Sequence, residues 1–134
     1  MLVDTKPTTK RASACSRYQS LELTSRLDGA DAHSLVSILY EELQRAIDIA
    51  ALAVRQSKLQ ASNKQIERAR SILIALQASL DFKLGGSLAV DLATVYRAMH
   101  KELSNLSAHN SHTKLDGLSE GIREISTAWA SLRR

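Results

Sequence analysis

His33–Val54 reads HSLVSILYEELQRAIDIAALAV, and its apolar residues surround far more of a helix than one buried side requires. At about 100° per residue, Leu35, Val36, Ile38, Leu39, Tyr40, Leu43, Ala46, Ile47, Ile49, Ala50, Ala51, Ala53 and Val54 cover an arc of roughly 220°. A helix resting on a globular core needs little more than about 100°. The centre of the arc is Leu35, Leu39, Leu43, Ala46, Ala50 and Ala53, whose alanines permit close approach of neighbouring helices. One shoulder holds Val36, Tyr40, Ile47, Ala51 and Val54 with no charge among them; the other holds Ile38, Ile49 and Leu52, interrupted by Glu42 and Arg45. The pattern leaves open which shoulder faces outward. Three or four large side chains left uncovered, at about 1.5–3 kcal/mol each, forgo burial comparable with the whole stability of a small domain, about 5–15 kcal/mol. Such a surface needs a cover.

Outward from this helix, Asp28, Gly29 and Asp31 mark a turn, with Asp31 the N-cap of a helix running to about Gln56. Ser62 and Gln65 have the spacing of a capping box and place the start of a second helix there. Its apolar stripe is Ile66, Ala69, Ile72, Leu73, Leu76 and Leu80, and it ends near Asp81. Gly85-Gly86 then breaks the chain, and Ser87 caps a third helix with apolar positions Leu88, Leu92, Val95, Tyr96, Met99, Leu103 and Leu106. After a polar turn from Asn105 to Thr113, a fourth helix carries Leu115, Leu118, Ile122, Ile125, Trp129 and Leu132. Short connections favour antiparallel neighbours, so the expected fold is all-α, an antiparallel up-down-up-down four-helix bundle over residues 31–134. Residues 1–30 read as a flexible, loosely ordered N-terminal segment that docks in part on the bundle through Tyr18, Leu21, Leu23 and Leu27.

Composition supports one helical domain. The 134 residues include one proline and five glycines, and strand-like alternation is absent. Cys15 is the lone cysteine, which excludes an intramolecular disulfide and a multi-thiolate zinc site. No signal-peptide core and no run of about 18 apolar residues is present, so a soluble cytoplasmic protein without membrane insertion is expected. The net charge of +4 resides partly in the tails, at Lys6, Lys10, Arg11, Arg17, Arg133 and Arg134, and the helices mix both signs, which argues against a nucleic-acid partner.

Catalytic chemistry is not legible. No glutamate has a histidine three residues later, which excludes the carboxylate-bridged di-metal bundle. His109 and His112 share a polar turn with no third ligand nearby, so no metal site is expected. His100 lacks the neighbourhood of a phosphate-accepting histidine, Gly85-Gly86 is not a phosphate-binding loop, and Cys15 has no adjacent base. The chain reads as a non-enzyme without cofactor.

Several local pairs, taken in order, carry a resemblance. They are Leu39-Tyr40 in the first long helix, Leu80-Asp81 followed by Gly85-Gly86, Leu92 with Val95-Tyr96 and Met99, and Ala128-Trp129 near the end. In order and spacing the chain resembles the flagellar secretion chaperone family FliS. The resemblance implies a four-helix bundle that binds the disordered C-terminal segment of flagellin in the bacterial cytoplasm, prevents premature polymerisation and delivers it to a component of the flagellar export gate. It also implies that an N-terminal segment bearing a tyrosine covers the peptide site when empty, and Tyr18 is the matching position. Ala32 stands where the family commonly has proline, and Glu41-Glu42 where it commonly has Asp-Gly, so Glu42 is expected to narrow or charge one side of the groove.

The expected mechanism is helix-in-groove recognition, the partner laying apolar residues on the uncovered shoulder. The cleaner shoulder, Val36, Tyr40, Ile47, Ala51 and Val54, is the expected groove, and Tyr18, Leu21 and Leu23 form an N-terminal gate that competes with the partner. The free protein is expected to be a monomer, with dimerisation of the empty form as a variation. The alternative is a homo-oligomeric structural bundle that pairs the excess apolar face with a second copy.

Overall fold

The computed structural model describes residues 31–107 and 109–132; the expectations for Tyr18, Leu21, Leu23 and the rest of residues 1–30 lie outside the described residues. Four α-helices follow in chain order: α1 Ala32–Arg55, α2 Leu59–Ala78, α3 Phe82–Ser104 and α4 Ser111–Ser131. The chain divides into two compact units, Met1–Ile38 and Leu39–Arg134, the division falling inside α1. In the first unit the described residues are the opening turns of α1, where the Asp31 carboxylate accepts the Ser34 amide at 2.8 Å, an N-cap as the sequence implies. Val36 and Ile38 are buried there.

In the second unit, an all-α bundle, the remainder of α1 is the hub. Its contacts with α4 descend one helix as they climb the other: Tyr40 meets Trp129 at a ring-centroid distance of 6.1 Å, Gln44 bonds Ser119, and Arg55 bonds Asp116. The two helices are therefore antiparallel. Glu42 joins Arg68 of α2 at 2.9 Å, the two residues straddling the α1–α2 connection as an antiparallel hairpin requires. Tyr40 reaches Tyr96 of α3, and α2 packs directly on α3 across a three-residue connection, Ser79 to Asp81. With neighbours on several sides, α1 buries Leu39, Tyr40, Leu43, Ala46, Ile47, Ala50, Ala51 and Ala53. Much of the over-wide arc is thus core.

Three local expectations are corrected. The second helix begins at Leu59 rather than Ser62: Ser57, with φ of 58°, and Lys58 turn the chain tightly, and the Ser62 amide already bonds the Lys58 carbonyl at 3.0 Å. Ser62 is a buried interior residue of α2, and its Oγ has no hydrogen-bond partner. The third helix begins at Phe82, capped by the Asp81 carboxylate, which accepts the Lys83 and Leu84 amides at 3.0 and 3.1 Å. Gly86, at φ 52° and ψ −127°, breaks it into a kink, a conformation that favours glycine. Below the kink the buried line of α3 runs through Ala89, Ala93, Tyr96 and Leu103, and Leu88, an expected stripe residue, stays exposed. A Cβ at Gly85 would lie 2.9 Å from that of Ala89, so the backbone approach there requires glycine. Among the described residues no helix is long and apolar enough to cross a membrane.

Candidate partner-binding groove

Tyr40 is the pivot of the bundle core. Its ring packs edge-on against Tyr96 and Trp129, at centroid distances of 6.4 and 6.1 Å. The two phenol oxygens share a hydrogen bond of 2.6 Å that satisfies both in the interior. Burial raises the pKa of both phenols; for Tyr96 the hydrogen bond to Tyr40 adds to the rise, whereas for Tyr40 the bond to Tyr96 partly offsets it. Around them Leu43, Met99, Ile122 and Ile125 close the packing without space for a water.

Above Tyr40, along the line where α1 meets α4, lies an open groove of about 530 Å³. Tyr40, Glu41, Gln44, Arg45, Asp48 and Ile49 form the α1 wall, and Arg123, Ser126 and Thr127 the α4 wall. One end is fixed by a polar network. Ser119 Oγ donates to Asp48 at 2.6 Å and accepts from Gln44 Nε2 at 2.8 Å, which bonds the Ser119 carbonyl as well at 3.1 Å. Farther along the same seam Arg55 donates two hydrogen bonds, of 2.8 and 2.9 Å, to the Asp116 carboxylate, and its Nε donates to His112 at 2.9 Å.

Of the five residues expected to form the groove, the structure brings only Tyr40 to it, as a floor residue 1% exposed. Ile47 is fully buried, Ala51 and Val36 are buried, and Val54 is half-buried. The large apolar residues that α1 does present to solvent come from the other shoulder: Ile49 at 42% and Leu52 at 52%. Ile38, from that same shoulder, is buried. Glu42 does not charge the groove: it is turned inward and bonded to Arg68, so the expected narrowing by this residue is corrected. The contribution of α4 was not foreseen. Ser119, Ser126 and Thr127 look like a solvated face in sequence, and only the seven-residue interval between Ser119 and Ser126, two turns on one side of a helix, hints at a common surface. Among the described residues no group of three or more His, Cys, Asp or Glu is placed to hold a metal ion.

A hub helix flanked by three others, with a groove of mixed polarity along one seam, defines an all-α helical bundle. The family model described as flagellar protein FliS matches residues 14–134, and the chain belongs to that family. It is similar to the flagellar secretion chaperone FliS of Vibrio cholerae, 27% identical over 112 residues covering 84% of this chain and 82% of the relative. It is also similar to the flagellar secretion chaperone FliS of Salmonella typhimurium, 25% identical over 122 residues and 90% of each chain.

Proposed function

We propose that this chain is a cytoplasmic flagellar export chaperone that binds the disordered C-terminal segment of flagellin, prevents its premature polymerisation and delivers it to the export gate. The observation that carries the reading is the α1–α4 groove with Tyr40 beneath it and Ile49 on its wall, in a chain of the FliS family. A segment that is disordered when free loses conformational entropy on binding and needs apolar contact to leave net affinity. Ile49 and Leu52 offer that contact on the hub helix. Recognition is by binding alone, without cofactor or chemical step.

The N-terminal gate is part of the proposal, on the ground of sequence: a segment bearing Tyr18, Leu21 and Leu23 competes with flagellin and lowers its apparent affinity. Deletion of residues 1–24 is expected to tighten binding of a flagellin C-terminal fragment or to promote self-association; unchanged affinity with an unchanged monomer fraction removes the gate from the account. Sedimentation of the full chain with that fragment tests the function itself. A monomer that takes up the fragment at one-to-one stoichiometry supports it, whereas a stable dimer indifferent to the fragment supports a self-assembling bundle instead.

A further inference from the structure

Among the described residues, two guanidinium groups on the groove make only long contacts. Arg45, on the α1 wall and 61% exposed, reaches Glu42 at 3.5 Å, and the Glu42 carboxylate is held more closely by Arg68 at 2.9 Å. Arg123, on the α4 wall, is exposed and reaches Ser119 Oγ at 3.5 Å, an oxygen already bonded to Asp48 and Gln44 at shorter range. Both contacts lie at the limit of hydrogen bonding. The other arginines of α1 and α2 are paired more closely: Arg55 with Asp116 at 2.8 Å, Arg68 with Glu42 at 2.9 Å and Arg70 with Glu67 at 2.7 Å.

Two acids, Glu41 and Asp48, line the same groove. Asp48 is bonded by Ser119 and Gln44, and Glu41 is not without a partner. A guanidinium presents five donors in a planar fork suited to a carboxylate, so opposite walls of one groove carry weakly engaged donors suited to an anionic group.

We infer that Arg45 and Arg123 form a carboxylate-reading pair, and that the segment seated in the α1–α4 groove carries an aspartate or glutamate side chain between them while its apolar residues meet Ile49. The inference rests on the flagellin-binding reading and deepens it: the apolar contacts supply affinity, and the arginine pair fixes the register at which the segment lies. A charge at the rim of an interface acts on register, association rate and salt dependence more than on the fold.

The test is calorimetry with the full chain and a synthetic flagellin C-terminal peptide, at low and high salt. The probes are the native peptide and one with every Asp and Glu changed to Asn and Gln. Arg45→Gln with Arg123→Gln is expected to weaken the native peptide about tenfold at low salt, as for loss of charge-assisted hydrogen bonds, and to flatten the salt dependence. The amide peptide is expected to bind wild type and variant equally. An unchanged thermal melt separates this from a folding defect. Native peptide bound by the variant with wild-type affinity and salt slope overturns the arginine pair while leaving flagellin binding intact. Wild-type protein that binds neither peptide overturns the flagellin-binding reading, and the pair with it.

Discussion

The two sides of α1 differ in what their packing permits. One side, Tyr40, Leu43, Ala46, Ile47 and Ala50, is 0–1% exposed and meets its neighbours through small residues and a pair of mutually bonded phenols. The other, Glu41, Arg45, Asp48, Ile49 and Leu52, is exposed and mixes charge with two large apolar side chains. Ile49 belongs to the broad apolar arc of the sequence as much as Ile47 does. Their separation teaches that an excess of apolar residues on a helix has two origins, burial among several neighbours and display to a partner, and that the charges beside each residue divide them.

Substitutions should break this contrast in order of burial. Ile47→Asp buries a carboxylate in a fully enclosed site, combining lost packing of about 2–5 kcal/mol with several more for desolvating the charge. The helical circular-dichroism signal is expected to collapse at temperatures where the wild type is folded. Alkali comes next. Because the folded pKa of Tyr40 and Tyr96 is raised above the unfolded value, stability is fully present below pH about 10 and declines above it. The unfolded phenols lose protons there while the folded ones keep them, each adding a slope of at most about 1.4 kcal/mol per pH unit. Denaturant midpoints across that range, read beside phenolate absorbance, should show ionisation of the two phenols coinciding with unfolding.

Tyr40→Phe leaves the Tyr96 hydroxyl buried without its partner and should cost about 1–3 kcal/mol in chemical denaturation. Ser62→Ala acts in the opposite direction: the orphaned Oγ disappears and the helix gains a better former, so stability is expected to rise by about 0.5–1 kcal/mol. Ile49→Asp should move the melt least, within about 0.5 kcal/mol, since the residue is exposed. Equal destabilisation by the Ile47 and Ile49 substitutions would erase the distinction between the two sides.

Much of the fold was legible because helix periodicity is local. The Asp31 cap and the backbone irregularity at Gly86, though a kink within a helix rather than a break between two, depend on neighbours in sequence. Ser62 misled for the same reason: a capping-box spacing is a local signal, and here the turn at Ser57 and Lys58 had already started the helix. The site was less legible. Whether Ile47 or Ile49 faces solvent depends on how many helices surround α1, which no single helix pattern contains. The α4 wall escaped because Arg123, Ser126 and Thr127 acquire meaning only opposite Arg45 and Ile49. Tyr40 was visible as important, but as a floor residue and core pivot rather than an open contact.

The central claim, that the partner is held on the Ile49 side of α1, meets its most direct test in calorimetric titration of a flagellin C-terminal fragment into wild-type protein and Ile49→Asp. The account predicts one-to-one binding to the wild type and at least about tenfold weaker binding to the variant, with superimposable thermal melts. Equal affinity for the two proteins would contradict it.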